Sequence, residues 1–160
     1  MIVVVLAALM GILFAKPQLS DSSKLTEAFD QSLADGSKGE PSSALEMVSN
    51  QFTLNGSPES RGEIADAIQK YHPKLTVDHR TLSINGSSAS ITGDGKLQIK
   101  LGPVKKEVTI PQIQFDFTKI PDKIWLFIPS SHWVLKSAQV SANSMSQAES
   151  AISQLTNSGF

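Results

Sequence analysis

Few side chains in this sequence have the type and spacing to do chemistry. Histidines stand at 72, 79 and 132, reading as a helix end, a strand and a turn. They lack the i to i+4 spacing and the carboxylate partner that a metal centre requires, so no metal is expected. Cysteine is absent from all 160 residues, which excludes thiolate nucleophiles, Cys-bearing zinc sites and disulfide frameworks. Serine is abundant, yet no Gly-x-Ser-x-Gly elbow occurs. The run Gly93-Asp94-Gly95-Lys96 has neither the spacer nor the hydroxyl residue of a phosphate loop and lies inside a strand pattern, so it reads as a bend. Tyr71 and His79 are the remaining pocket candidates. Tyr71 shares an apolar helix face with Ile64 and Ile68, and His79 shares the strand parity of Leu75 and Val77, so the two could meet inside a fold. A base and a donor within hydrogen-bond reach of one substrate are the minimum for proton-transfer chemistry. The plainer reading of the same pair is a hydrogen-bonded core contact. Asp78, Asp94 and Asp116 fall on the opposite, solvent parity. No catalytic residue is therefore assigned, and no cofactor is expected.

The elements that must hold these residues separate by period. Leu25, Phe29 and Leu33 recur every four residues after a Ser/Asp run and predict a helix that stops at Asp35-Gly36. Glu40-Pro41 and the capping box Ser43-x-x-Glu46 predict a second helix with Leu45, Val48 and Phe52 on one side. Asn55-Gly56-Ser57-Pro58 reads as a loop. Ser60-x-x-Glu63 opens a third helix, which Pro73 ends. From Leu75 the period becomes two. Leu75 and Val77 lie on one parity but Leu82 and Ile84 on the other, which a bulge between His79 and Thr81 reconciles. Asn85-Gly86 predicts a type I′ hairpin, and the returning strand places Ala89, Ile91, Leu97, Ile99 and Leu101 inward. Gly93 and Gly95 share that parity and permit sharp curvature or close approach. A third strand, Val108 to Phe117, slips phase at Pro111 and then aligns Ile113, Phe115 and Phe117. A last strand covers Trp133 to Val140. The fold class is α+β: an N-terminal hydrophobic helix, three helices packed in a strongly curved antiparallel or mixed sheet, and a short C-terminal amphipathic helix or tail.

Phe52-Thr-Leu-Asn-Gly, Ser60-Arg-Gly-Glu-Ile, Asp78 through Ile84, the Asn-Gly turn, Ala89-Ser-Ile-Thr-Gly and Trp133-x-Leu together resemble the NTF2-like superfamily, especially its exported bacterial members. The resemblance covers Leu25 to Val140. It implies a cone in which a curved sheet wraps the helices around an apolar pocket. It leaves function open between isomerase-like enzymes and non-catalytic binding domains. The Tyr and paired acids of the ketosteroid-isomerase-like enzymes have no counterparts here.

The ends and one internal run suggest location and partners. Residues 2–15 are uninterruptedly apolar or small, and Ile2, Val3, Val4, Val5, Leu6, Leu9, Ile12, Leu13 and Phe14 are the expected membrane-facing side chains. Residues 1–16 read as an uncleaved membrane anchor or a signal peptide, 17–140 as the NTF2-like domain and 141–160 as a helix or flexible tail. The tail repeats Met145, Ala148, Ile152 and Leu155 at helical spacing, with Ser144-x-x-Gln147 as its cap. Ile124, Trp125, Leu126, Phe127 and Ile128 are apolar on both parities, and a strand cannot bury all five in one core, so they are either covered on both sides by helices and the C-terminal segment or are the expected partner-binding surface. From Pro17 to Asp66 there are 3 basic and 9 acidic residues; from Ala67 to Lys136 there are 10 basic and 5 acidic. An acidic helical half and a basic sheet half neutralise each other or orient the domain toward an acidic surface. Exposed interleaved aromatics are missing, so no nucleic acid is expected. The function expected is a membrane-tethered accessory domain in the periplasm or extracytoplasmic space, binding a protein partner in a membrane complex. The alternatives are a pocket enzyme or small-molecule carrier, soluble after cleavage, and more remotely a pilin-like protein.

Overall fold

The computed structural model describes residues 20–124 and 128–157. Helix α1 spans Asp21–Lys38. Ser20 caps its start by accepting from the Ser23 amide at 3.2 Å. The helix runs one turn past the expected stop, because its left-handed terminator is Gly39 (φ 78°) and not Gly36. The expected second helix shrinks to a single turn, α2, at Pro41–Ala44, with no side-chain cap. The residues thought to continue it form strand β1, Val48–Leu54. Strand β2, Ser57–Pro58, folds back on β1. Helix α3 follows at Arg61–Tyr71, where the Ser60 hydroxyl accepts from the Glu63 amide as the capping box predicts. Arg61 ties α3 down by donating to the Leu45 carbonyl and the Asn50 side chain, both at 2.9 Å.

Strands β3 (Lys74–Asn85), β4 (Ser88–Leu101), β5 (Val104–Ile124) and β6 (Ile128–Gln139) complete a six-stranded sheet in the order β2-β1-β6-β5-β4-β3. All pairings are antiparallel except β1 with β6, so the sheet is mixed. The expected phase slips are present. β3 shifts register between Asp78 and Thr81, with His79 at φ 50°, and β5 shifts against β4 opposite Gly93–Gly95, with Gln112 at φ 54°. Extra residues on adjacent strands bend a sheet along one line. Gly93 lies on that line, where a Cβ would stand 2.6 Å from the Asp78 carbonyl oxygen.

The two Asn-Gly turns differ from expectation. Asn55 and Gly56 both take positive φ (51° and 82°) between paired Leu54 and Ser57, which makes this loop the type I′ hairpin. At the other site Asn85 pairs with Ser88 and still belongs to the strand, so the turn is Gly86-Ser87, with Gly86 alone at positive φ, the type II′ signature.

β4 ends its pairing with β5 at Ser88–Thr118, and β1 pairs with β6 only from Leu135 onward. Beyond Thr118 the β5–β6 ribbon therefore continues with neither neighbour, through Lys119–Trp133 to Ile124–Ile128. Pro121 is tolerated there because β5 has a partner on one side only.

Helix α4, Ala142–Asn157, packs on β5 and β4. Its cap is Ser141, whose hydroxyl accepts from the Ser144 amide at 3.1 Å, so the expected cap at Ser144 sits three residues too late. The buried face is Ser144, Ala151 and Leu155, and Met145 and Ile152 flank it half-buried. The interior face of the sheet matches the expected parity, with Ala89, Ile91, Ile99, Val108, Ile110, Ile113, Phe115 and Phe117 buried.

Candidate functional site

Helix α1 has two working faces. Leu25 and Phe29 point into the bend of the sheet, and the Phe29 ring meets Phe115 edge-on at 4.9 Å and Phe117 at 5.7 Å. These side chains fill the concave interior, the place where a cone-shaped domain would hold an apolar ligand. The adjacent face, carrying Lys24, Ala28, Gln31 and Asp35, lines a cleft of about 520 Å³ whose far wall is Met47 with Ser131 to Trp133 of β6.

Asp35 is 3% exposed. Both its oxygens accept from the Gln31 amide at 2.9 Å, and Oδ1 also meets the Lys38 ammonium at 2.9 Å. The Gln31 hydrogen bond, then that of Lys38, holds the carboxyl below its ordinary value, and Asp35 in return raises Lys38. A carboxylate stabilised in its charged form, with both oxygens engaged, is a poor proton acceptor. Ser32 spends its hydroxyl on the Ala44 carbonyl at 2.6 Å. The Trp133 indole Nε1 is buried with no hydrogen-bond partner, which makes it the one unengaged donor among the buried side chains described on this wall. Asp35 was within reach of sequence reasoning, since Gln31 and Lys38 stand four and three residues away on one helix face.

The two pocket candidates do not come together. The bulge turns His79 out of the core, with 85% of its side chain exposed, and its Nδ1 lies 3.3 Å from Asp94 on the outer face. Val77 remains buried, so the predicted bulge itself undoes the shared parity. Tyr71 is half-buried at the end of α3, its ring under the Lys70 ammonium at 5.1 Å. No hydrogen bond or ring contact joins it to His79. Among the described residues no group of three or more His, Cys, Asp or Glu could hold a metal.

Charge complementarity between helix and sheet is realised as contacts. Asp30 pairs with Arg80 of β3, and Asp21 with Lys119 of β5 at 2.8 Å. Of the expected partner surface, Ile124 and Ile128 close the β5–β6 ladder as a backbone pair, and Trp125, Leu126 and Phe127 lie outside the described residues. The expected membrane residues Ile2 to Phe14 also lie outside them. Among the described residues no helix is long and apolar enough to cross a membrane.

No protein-family model and no curated protein matches this sequence. Solved structures do. An NTF2-like superfamily protein from Salmonella enterica serovar Typhimurium superposes with a TM-score of 0.57 at 16% identity, over 74% of this chain and 88% of its own. An NTF2-like protein with a cystatin-like fold from Novosphingobium aromaticivorans matches at 0.57 and 14%, over 88% and 93%. The fold is NTF2-like. The same NTF2-like architecture is shared with the CaMKII hub of S. rosetta, at a TM-score of 0.57 and 16% identity over 77% and 97% of the two chains.

Proposed function

We propose that this chain is a membrane-tethered, non-catalytic NTF2-like domain that works outside the cytoplasm as a protein-binding subunit of a membrane complex. The observation that carries the reading is the filled interior: Phe29 packs edge-on against Phe115 and Phe117 in the bend of the sheet, where a cone-shaped domain would hold an apolar ligand. The ionisable residues nearest to a catalytic pattern, Tyr71 and His79, are apart, and His79 faces solvent. Solved proteins of this fold include one described as a hub, in keeping with a role in assembly. The tether rests on the apolar run Ile2 to Phe14, and the partner surface on Ile124 to Ile128 at the end of a ribbon that outruns its neighbouring strands. The test is purification of the full chain from membranes in mild detergent. A stoichiometric copurifying chain is expected, and Trp125→Ser with Phe127→Ser is expected to release it without lowering the unfolding temperature. Recovery of a free monomer that turns over a small molecule would overturn the reading.

A pocket enzyme or small-molecule carrier is the second reading, favoured by the α1–β6 cleft and its unengaged Trp133 indole. Trp125→Phe leaves Trp133 as the sole tryptophan, and a ligand in the cleft must then change its fluorescence.

A further inference from the structure

One cleft is lined by positive charge alone. Where α1 and α3 end, the start of β3 and the β4–β5 hairpin enclose about 430 Å³ bordered by Lys70, His72, Lys74, Gln98, Lys100 and Lys105, and no carboxylate lines it. Lys70 has an ordinary explanation, since a cation in the last turn of α3 offsets the carbonyl end of the helix. The other three lysines stand on strands. The lysine–carboxylate pairs of the described residues join Lys38 to Asp35, Lys96 to Asp78 and Lys119 to Asp21, so Lys74, Lys100 and Lys105 have no acidic partner.

The register concentrates these charges. Lys100 and Lys105 are direct partners across the β4–β5 hairpin, and Lys74 lies opposite Gln98, two residues from Lys100. Like charges directly opposite destabilise a strand pair, and an anion between them reverses the sign of the interaction. The His72 imidazole is seated rather than free. Residue 72 takes a left-handed φ of 43°, and its ring occupies the space a Cβ on Gly39 would need, 2.4 Å from the ring carbon Cε1. The local field is not a reflection of the whole molecule, whose formal net charge is −1. Helix carbonyl ends border the cleft, so no helix N-terminus serves it, and the side chains that can meet an anion there include the lysine ammonium groups and the Gln98 amide. Lysine ammonium groups act on phosphate as mobile point charges.

We propose that this cleft binds a phosphoryl anion, either a free phosphate ester or the headgroup of an anionic lipid. The inference is independent of the partner-binding role. The test uses the full chain in phosphatidylcholine vesicles, labelled with an amine-acylating reagent and read lysine by lysine by mass spectrometry. At matched ionic strength, inorganic pyrophosphate is expected to slow labelling of Lys100 and Lys105 roughly threefold or more, and to leave Lys96 unchanged. If the source is a lipid headgroup, phosphatidylglycerol in the vesicles gives the same protection without pyrophosphate. Lys100→Gln is expected to abolish protection of Lys105, and Lys96→Gln to leave it intact. In the absence of any anion, Lys100→Gln is expected to raise the unfolding temperature by relieving the facing charges. Uniform labelling under all conditions, slowing shared equally by Lys96, or a lowered unfolding temperature in Lys100→Gln would overturn the proposal.

Discussion

Arg80 of β3 reaches across to Asp30 of α1, fifty residues earlier in the chain, and in doing so lays its guanidinium 5.4 Å over the Phe29 ring. Its Nε also donates to the Val77 carbonyl at 2.8 Å, so the side chain spans the bulge beside it and fixes the helix to the sheet. Arg80→Ala is expected to cost roughly 1 to 2 kcal/mol, combining an ion pair that is half open to water with lost packing on Phe29. In a double-mutant cycle with Asp30→Asn, measured by urea unfolding, the coupling should be about 0.5 to 1 kcal/mol. A coupling of zero would show that the pair does not hold the helix.

Gly93→Ala is expected to be severely damaging. The added methyl would press on the Asp78 carbonyl and the Val77 side chain, at 2.6 and 2.7 Å, where two bulged strands leave no freedom to yield. The cost should exceed about 2 kcal/mol or prevent folding. Gly86→Ala is the control. Its Cβ would meet nothing within 4 Å and only the φ of 59° opposes it, so the loss should stay near 1 kcal/mol. Equal effects would place the bend elsewhere.

Phe29→Ala should cost roughly 3 to 5 kcal/mol, because the ring is 2% exposed and packed edge-on against two others. A loss below about 1 kcal/mol would mean that the interior is loosely filled and available to a ligand.

Asp35 sets an acid limit. Its folded-state carboxyl is held below 3.8 by Gln31 and then Lys38, so its contribution is complete above that value and is lost as the pH falls through the lower, folded one. Lys38 is raised above 10.5, so its contribution persists through neutral pH and disappears only as the pH rises through its folded value. Wild type should therefore be more stable than Asp35→Asn at neutral pH, and the two denaturation curves should converge at low pH. Parallel curves down to the lowest pH at which the chain folds would contradict the assignment.

How far the sequence foretold this structure depended on whether the pattern had one physical cause. The slip between Val77 and Leu82 and the slip at Pro111 were readable because one extra residue in a strand moves every later side chain to the opposite face. Both bulges are present, with His79 and Gln112 at positive φ. Val48–Leu54 was misread for the same kind of reason. Val48 and Phe52 are buried four residues apart, a spacing at which a strand face and a helix face coincide, so it reads as either. The α4 stripe was displaced because small Ser144 and Ala151, not the larger Met145 and Ile152, lie closest to the sheet. The polar cleft of α1 and the lysine cleft escaped notice because each joins residues from separate elements, and no local period marks such a meeting.

β1 joins the four long strands only through β6, by a parallel pairing of Val48 with Leu135 and a hydrogen bond that the Leu135 amide donates to the Met47 carbonyl at 2.6 Å. The β1–β2 hairpin must consequently wait during synthesis until β6 has emerged before it can join the sheet. Chain order thus makes the joining of β1 to the sheet a late event, whereas α1 and the β3–β4–β5 meander, tied together by Asp30 and Arg80, can assemble ahead of it.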